Sequence, residues 1–499
     1  MNVRIFPLLF LAILAAILAT RPAVAVPLYG TEEIVLRSSV SYDGIAGTPN
    51  PFDLSLTARV TAPSGRRFTV DGFFDGNGEG GSSGRIFKVR ISAEEPGVWK
   101  WETASDVPGL NGFSGRFTVE ERLGGVFGQG PVGVSPRWPR AFARRESGPV
   151  FLVGKFLDQA APSPLKFSHT MFSEELGEKD REALLARHLD LGLNKINVYL
   201  ANRGDYGGVS TTPWVGTAEA NDKRRFDLAR FRMYERWVVR MRDAGMVAHL
   251  WFFADDSGFG DLPDDDRKRL IRYAMARLSG YSNTMFTLAL EWQEGWSPAE
   301  VESHARFLQE KNAWGRLASV HGTTGPFAFP SAPWADFLDI QAGNDARPEA
   351  VYALGIAQRG LAAKPLLQEE HGLGDEDRAN RRRAWGAFLS GAAGVGTGAF
   401  LEHLARFAKT VRFERLEPAN RLVLAGDAWA LAERQRAFVF YLPEGGTVRV
   451  NLRGAPGPLK VRWYDPRTGA FRNAPPVPGG KIRAFTAPSD DDWALYIDK

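Results

Sequence analysis

Between residues 150 and 400 the sequence alternates short apolar runs with amphipathic stretches. Eight apolar runs follow one another, at 150–156, 194–201, 246–253, 284–292, 317–322, 337–343, 364–370 and 394–400. Continuous apolar runs of this length are typical of parallel strands buried on both faces, and helical spacing characterises most of the stretches between them. Eight such units in roughly 290 residues predict a (β/α)8, or TIM, barrel.

Different patterning flanks this region on both sides. Residues 28–121 consist of short alternating runs punctuated by Gly, Pro, Asn and Asp, which predicts an N-terminal β-sandwich. Residues 430–499 return to such runs, with hairpin signals at Gly445-Gly446 and Thr468-Gly469. We therefore predict a multidomain α/β plus all-β chain, with a central barrel at 137–425 between two β-sandwiches.

The first 25 residues have the pattern of a secretory signal peptide. A basic residue, Arg4, precedes an apolar run at 5–19, and Ala23-Val24-Ala25 forms a small-x-small cleavage signal. We expect cleavage after Ala25 and export to the periplasm or the extracellular medium. The alternative is a membrane anchor, but the apolar run is short for a bilayer and no second span follows. No stable membrane insertion is therefore expected after cleavage.

Composition excludes several kinds of chemistry. The chain has no cysteine, which rules out disulfides, cysteine nucleophiles, cysteine-bound zinc and iron–sulfur clusters. Its 62 basic and 58 acidic residues nearly balance and are dispersed, which argues against a nucleic-acid partner. The run Arg381-Arg382-Arg383 is predicted to be the solvated face of a helix. No His-x-His motif occurs, which argues against a metal-dependent barrel hydrolase.

Two glutamates close apolar runs of the predicted barrel. Glu291 ends TMFTLALE, and Glu370 ends KPLLQEE, on predicted strands four and seven. Active sites of such barrels lie at the carboxyl ends of the strands. Two carboxylates facing one pocket are the catalytic groups of most glycoside hydrolases. Burial near Trp292 would raise the pKa of Glu291, as a proton donor requires.

Each glutamate has a neighbour that competes for its assignment. Glu294 follows Glu291 by three residues and is predicted to begin the loop. Glu369 is adjacent to Glu370, and successive residues of a strand point to opposite sides. Only one of the pair can then face the barrel interior. We choose Glu370 and expect Glu369 to pair outside the barrel.

Other polar and aromatic residues near the predicted strand ends are candidates for binding sugar. Each could also be a packed barrel residue, and Glu291 itself could form a structural ion pair with an arginine at the rim. The candidate substrate-binding residues are Trp251, Trp292, His249, His321, Gln341, Asn197, Tyr199 and His403.

At these residues the chain resembles a known group of proteins. It is similar to secreted bacterial (β/α)8-barrel glycoside hydrolases related to apiosidases and "putative endoglucanases". Those proteins carry an N-terminal β-sandwich of unknown function and a C-terminal collagen-binding-like β domain. The resemblance rests on GFFDGNG and KVRISAEEPGVWKWETASDVPGLNGFSGRFTVEE near the N-terminus, and on VFYLPEGGTVRVNL and VRWYDPRTG near the C-terminus. In the barrel it rests on SNTMFTLALEW and KPLLQEEHG.

The resemblance implies a retaining glycoside hydrolase that acts on a polysaccharide or its side chains and requires neither a metal nor an organic cofactor. Glu291 would be the acid/base and Glu370 the nucleophile. The family's strand-four tryptophan is replaced here by Phe286, and its glycines by Ala289-Leu290. A non-catalytic carbohydrate-binding protein and an adhesive cell-surface protein on the same fold are the alternatives.

Overall fold

The structure is a computed structural model. It describes residues 25–121, 127–158, 161–162, 165–203, 209–254, 259, 261–343, 345–372 and 378–499. Nearly all of the predicted signal peptide therefore lies outside the described residues. Within them, none of the helices combines the length and the apolar character needed to cross a membrane.

The N-terminal region is built of two β-sheets. Its strands are β1 (Val26–Pro27), β2 (Thr31–Asp43), β3 (Leu56–Thr61), β4 (Arg67–Asp71), β5 (Phe73–Phe74), β6 (Ser83–Ser92), β7 (Gly97–Ser105) and β8 (Ser114–Glu120). One sheet has the order β1-β8-β7-β3-β4 and the other β2-β6-β5. In β3, Leu56, Ala58 and Val60 are buried whereas Arg59 is exposed, which is the alternation expected of a strand with one face on a core.

A three-stranded antiparallel sheet links this region to the centre of the chain. Its strands, in the order β11-β10-β9, are β9 (Val132–Val134), β10 (Phe142–Arg144) and β11 (Gly148–Val150).

The central region contains eight parallel strands, and each overlaps one of the eight predicted apolar runs. Its strands, which also include the antiparallel hairpin β14–β15, are β12 (Leu152–Val153), β13 (Lys195–Tyr199), β14 (Trp214–Gly216), β15 (Asn221–Phe226), β16 (Val247–Ala254), β17 (Thr284–Leu290), β18 (Ala318–Ser319), β19 (Leu338–Gln341), β20 (Leu366–Glu370) and β21 (Gly394–Val395).

The eight parallel strands form two four-stranded sheets whose edges are joined. The orders are β13-β16-β17-β18 and β12-β21-β20-β19. A parallel bridge between His321 and Asp339 continues β18 to β19. At the other seam, the Asn194 amide donates to the Val153 carbonyl, 3.0 Å away, beside β12 and β13. All eight strands therefore present their carboxyl ends at one edge.

In the described part of the chain, seven α-helices accompany these strands. They are α1 (Glu178–Asp190), α2 (Leu228–Asp243), α3 (Asp264–Leu278), α4 (Pro298–Lys311), α5 (Pro348–Arg359), α6 (Arg378–Leu389) and α7 (Leu401–Val411). Each strand-to-strand connection contains one of them except that between β18 and β19, in which the structure describes turns and loop but no α-helix. Helix α4 shows how such a helix starts: Ser297 accepts from the Glu300 amide, and Glu300 accepts from the Ser297 amide, as in a capping box.

Buried ion pairs join the N-terminal strands to the central helices. Arg90 of β6 lies 2.5 Å from Glu235 of α2, and Arg277 of α3 lies 2.9 Å from Asp75. Arg316 lies 2.9 Å from Glu94. Since a buried charge is costly without a partner, these ion pairs hold one region against the other.

The C-terminal region returns to β-structure. Its strands are β22 (Glu417–Pro418), β23 (Val423–Ala425), β24 (Trp429–Glu433), β25 (Ala437–Leu442), β26 (Thr447–Asn451), β27 (Pro458–Asp465), β28 (Ala470–Pro478), β29 (Ile482–Thr486) and β30 (Trp493–Asp498). They form a six-stranded sheet, β22-β24-β25-β30-β27-β28, and a three-stranded sheet, β23-β26-β29. The chain thus combines α/β and all-β regions.

The arginine run on α6 corrects one prediction from the sequence. Arg381 and Arg382 are buried, not solvated. Arg381 lies 2.5 Å from Asp492, which is fully buried before β30, and Arg382 pairs with Glu444. Arg381 and Arg382 thus face the C-terminal sheets and hold two regions of the chain together, whereas Arg383 donates to the Ala346 carbonyl of the central region at 2.6 Å.

Candidate active site

Glu291 and Glu370 lie at the carboxyl ends of two parallel strands. Glu370 is the last residue of β20, and Glu291 directly follows Leu290, the last residue of β17. Glu291 has left-handed backbone angles, φ 45° and ψ 47°, and begins a short 3-10 turn in which its carbonyl accepts from the Glu294 amide at 2.9 Å. A non-glycine residue in this region costs of order 1–3 kcal/mol, and such strain concentrates at functional sites.

Gln341 connects the two glutamates. Its side-chain amide donates a hydrogen bond to Oε1 of Glu291. In the ladder between β19 and β20, Gln341 stands opposite Glu370, and the Ala342 amide donates to the Glu370 carbonyl at 2.8 Å. Because adjacent strands lie about 4.8 Å apart, Gln341 holds Glu291 and Glu370 near each other at the carboxyl ends of the strands.

The side chain of Glu369 does not pair outside the strands, and that prediction was wrong. The register between β19 and β20 shifts at Ile340/Gln341, so that Gln368 pairs with Ile340 but Glu370 pairs with Gln341. Between these two pairs β20 has one extra residue, Glu369, which is the geometry of a β-bulge. At the bulge the side chains of β20 no longer alternate strictly between the two faces of the sheet. The Glu369 side chain points into the space between the two four-stranded sheets.

Glu369 is the centre of a buried charge network. Nζ of Lys195, on β13 of the opposite sheet, lies 2.6 and 2.8 Å from its two carboxylate oxygens. Lys195 also donates to Oδ1 of Asn197 at 2.5 Å, and Nδ1 of His249 lies 3.1 Å from Oε1 of Glu369. All four residues are at most 3% exposed. Burial alone would raise the pKa of Glu369, but Lys195 and His249 outweigh it and hold that pKa well below its usual range.

The network continues from His249 to a second acid. Nε2 of His249 lies 2.8 Å from Oγ1 of Thr287, which donates to Oδ2 of Asp339 at 2.9 Å. Burial, and then the negative charge of Glu369, raise the pKa of Asp339 well above its usual value. Burial also lowers the pKa of His249 to about 4. Lys195 and Glu369 thus form the buried ion pair of the network, whereas the pKa shifts of Asp339 and His249 both favour their neutral forms.

The same residues have the composition of a metal site. His249, Asp339 and Glu369 offer ligand atoms within 4.8 Å of one another. However, the Lys195 ammonium already contacts both oxygens of Glu369 and supplies the compensating positive charge. These residues fit an ion-pair network better than a divalent cation.

The electrostatics of Glu291 suit a proton donor. Burial raises its pKa, the hydrogen bond from Gln341 lowers it, and the charge of Glu294 raises it, with a net upward shift. The direction agrees with the sequence-based expectation, which rested on burial. The neighbouring acid Glu294 is exposed to solvent in the turn that follows Glu291. Glu370, in contrast, is buried, with 5% of its surface exposed.

Four of the eight predicted binding residues form a buried aromatic cluster among the central strands. The Trp251 ring is 5.9 Å from Tyr199, 5.2 Å from His249 and 5.1 Å from His321. Each of these residues is at most 1% exposed. Burial lowers the pKa of His321 to about 3, so its ring is neutral. The cluster supports the floor of the site, and in this conformation it offers no free face to a sugar.

Two further candidates lie elsewhere. Trp292 is 7% exposed and packs against Phe329, 5.3 Å away, in the loops that follow β17 and β18. His403 is on α7, where its carbonyl accepts from Tyr464 of β27 at 2.7 Å. The structure thus places His403 against the C-terminal sheet and not with Glu291 and Glu370, because α7 turns this side chain away from the strand ends.

Sequence reasoning missed three members of the network: Lys195, Thr287 and Asp339. A signal was present for two of them, Lys195 and Asp339. Side chains two residues apart on a strand share a face. Lys195 precedes Asn197 by two, and Asp339 precedes Gln341 by two. Because Asn197 and Gln341 were predicted to face the site, Lys195 and Asp339 could have been predicted to face the same interior.

Two family models match the β regions at the two ends of the chain. Residues 25–106 match the family model "domain of unknown function (DUF5060)", and residues 423–498 match "putative collagen-binding domain of a collagenase". Among curated proteins, none matches the sequence.

Solved structures match most of the chain, although at low identity. A "putative glycoside hydrolase" from Bacteroides vulgatus ATCC 8482 is 18% identical over 95% of this chain and 99% of its own, with a TM-score of 0.76. A family 5 glycoside hydrolase from the same organism is 15% identical over 75% of this chain and 94% of its own, with a TM-score of 0.61. A third, described as "glycoside hydrolase", is 16% identical over 76% of this chain and 99% of its own, also at 0.61. In fold, therefore, this chain is similar to glycoside hydrolases along nearly its whole described length.

Proposed function

We propose that this protein is a secreted retaining glycoside hydrolase that cleaves O-glycosidic bonds of a polysaccharide or its side chains. One observation carries the proposal: Gln341 hydrogen-bonds Glu291 and stands opposite Glu370, which brings two carboxylates from separate strand ends around one point. The likeness to solved glycoside hydrolases supports the same chemistry.

The proposed architecture is a closed (β/α)8 barrel between two β-sandwiches. The hydrogen bonds at both seams of the two four-stranded sheets support closure. The proposed boundaries are 28–121 for the N-terminal sandwich, 137–425 for the barrel and 430–499 for the C-terminal sandwich. Residues 1–25 are proposed as a signal peptide that directs export.

In the proposed mechanism each glutamate has one role. The Glu370 carboxylate attacks the anomeric carbon while the glycosidic C–O bond breaks, and Glu291 gives its proton to the departing oxygen. A water molecule then passes a proton to Glu291, and its oxygen displaces Glu370 from the sugar. Retention requires the two carboxyl groups to lie about 5–5.5 Å apart, and about 6.5–9.5 Å would imply inversion.

The charge network beneath the site has a positioning role in this proposal. Glu369 is neutralised by Lys195, so it adds no free negative charge beside Glu370. Because the bulge that turns Glu369 inward also sets Glu370 opposite Gln341, the ion pair fixes the backbone that carries the nucleophile.

The proposal is tested by hydrolysis of a panel of aryl glycosides and polysaccharides. Wild type is compared with Glu291→Ala, Glu370→Ala and the matched control Glu310→Ala, an exposed acid of α4. Turnover of one substrate that is lost in the first two variants and kept in the control supports the assignment. Unchanged activity in either of the first two would exclude that residue. Glycan binding by wild type without turnover of any substrate would favour a carbohydrate-binding protein on this fold.

A further inference from the structure

A large cavity lies at the end of the central strands opposite Glu291 and Glu370. Its volume is about 860 Å³. Its lining includes Phe151, Asn194 and Gly245, which come just before β12, β13 and β16 and so mark the amino ends of these strands. Small-molecule sites have volumes of about 300–1,000 Å³. The cavity is therefore large enough for an oligosaccharide and much larger than a simple inorganic anion.

Arg144 is a buried cation in the wall of this cavity. It is 8% exposed, and one guanidinium nitrogen donates to the Gly245 carbonyl at 2.8 Å. Within the described part of the chain, no carboxylate lies within 4.0 Å of it. Burial lowers its pKa, with no acid acting in the opposite direction. A buried charge without a counter-ion is costly, so an arginine kept in this state beside an open cavity needs an explanation.

Three further cations from the C-terminal part of α7 and the residue after it line the same cavity. Arg406, Lys409 and Arg412 likewise have no carboxylate within 4.0 Å among the described residues. Favourable interaction with the C-terminal end of the helix dipole accounts in part for Lys409 and Arg412. It does not account for Arg144, which belongs to β10.

The acids that line the cavity do not neutralise this group. Glu402 lies 3.6 Å from His403, and Glu414 lies 3.5 Å from Arg415, itself a lining residue. Asp190 is the other acid of the lining. Five cationic side chains against three acids leave the cavity with an excess of positive charge. Guanidinium groups bind carboxylate and sulfate groups through paired N–H donors.

From this geometry we propose that the cavity binds an acidic oligosaccharide, with Arg144, Lys409 and Arg412 contacting its carboxylate or sulfate groups. Gln129 and Ser147, which hydrogen-bond each other at 3.1 Å, supply polar groups for hydroxyls, and the half-buried Trp138 supplies an aromatic surface. Because the cavity and the proposed catalytic pair lie at opposite ends of the strands, this is a second site that is separate from hydrolysis.

The test is calorimetric titration of full-length protein with defined trisaccharides. The probes are trigalacturonate, a sulfated trisaccharide, neutral maltotriose and inorganic phosphate. Glu370→Ala is used throughout, so that no probe is hydrolysed. We expect one or both acidic trisaccharides to bind, and maltotriose and phosphate to bind at least tenfold more weakly. Which acidic probe binds distinguishes a carboxylated from a sulfated glycan.

Variants locate the binding. Lys409→Ala/Arg412→Asn is expected to weaken binding of the acidic trisaccharide at least tenfold, since Asn tolerates the left-handed backbone of Arg412 (φ 55°). Arg144→Met tests the buried cation if it folds, and Arg453→Ala, an exposed cation of the C-terminal region, is the control. Unchanged affinity in the double variant, equal affinity for maltotriose, or binding of phosphate alone would overturn the proposal. Loss of hydrolysis in Glu370→Ala has no bearing on this outcome.

Discussion

Gln341 donates a hydrogen bond to Glu291, and this contact spans β17 and β19, two strands that are not neighbours in the ladder. It therefore depends on β18 holding them in register, through its pairing with β17 and the His321–Asp339 bridge. The hydrogen bond favours the ionised form of Glu291, whereas burial favours the protonated form. The ionisation of the proposed proton donor is thus set by two opposing effects, and one of them can be removed by a single substitution.

Replacing Gln341 with Met should move the alkaline limb of the pH–rate profile upward. A general acid is active when it is protonated, so activity falls as pH rises through its pKa. Loss of the hydrogen bond removes the influence that lowers the pKa of Glu291. We also expect kcat/KM to fall by about tenfold to a hundredfold, because the carboxyl loses its orientation. The measurement is the pH dependence of kcat/KM, and an unchanged or lowered alkaline limb would contradict the assignment of Glu291 as acid.

Replacing Lys195 with Met should destabilise the fold strongly. Lys195 and Glu369 are both at most 1% exposed, and removing one partner leaves the other charge buried and unpaired. Such a change costs about 3–5 kcal/mol. The free energy of unfolding in urea measures it. Lys268→Met, which breaks an exposed pair with Asp264 on α3, is the matched control and should cost about 0–1 kcal/mol. Equal costs for the two variants would show that the buried pair is not structural.

Glu369 should also make stability depend on acid pH. Its pKa in the folded protein is below that of an unfolded glutamate, about 4.3. The unfolded state then takes up the proton first, so this contribution is fully present above about pH 4.3 and is lost as pH falls below it. In Lys195→Met/Glu369→Gln the group is absent, and urea midpoints should fall less steeply between pH 5 and pH 3 than in wild type. A steeper or equal fall would contradict the lowered pKa.

The C-terminal sheets should stabilise the central region through Arg381. Its guanidinium contacts Asp492, which is fully buried and also accepts from Tyr441 at 2.8 Å. Arg381→Met should cost about 3–5 kcal/mol, whereas Arg381→Met/Asp492→Leu should recover part of that loss. The control is Arg378→Met on the same helix, whose side chain is half exposed and pairs with Glu444. Calorimetric unfolding checks the order of the variants, and additive losses in the double variant would exclude this coupling.

The positions of the central strands could be read from the sequence because buried parallel strands leave continuous apolar runs. The same reading placed Glu291 and Glu370 at strand ends. It failed at Glu369 because side chains alternate between the two faces of a strand only while the register with the neighbouring strand is unbroken. The pattern of apolar residues gives no sign of the bulge opposite Ile340/Gln341.

Errors of a second kind came from contacts between regions distant in sequence. Arg381 and His403 look like exposed or site-facing polar residues in their own helices. Their surroundings are set by Asp492 and Tyr464, which are 111 and 61 residues further along the chain. No local pattern contains that information, because burial of these helices depends on where the C-terminal sheets pack.

The most direct test of the account is the product that azide forms with each glutamate variant on an activated aryl glycoside. A retaining mechanism predicts that azide restores turnover of Glu370→Ala and gives a glycosyl azide of inverted configuration, because azide replaces the missing nucleophile. With Glu291→Ala it should give the azide of retained configuration, since Glu370 still forms the covalent intermediate. Nuclear magnetic resonance of the anomeric proton distinguishes the two products. A glycosyl azide of retained configuration from Glu370→Ala would contradict the assigned roles. If the wild-type enzyme is active, the absence of any azide effect on both variants would also contradict them.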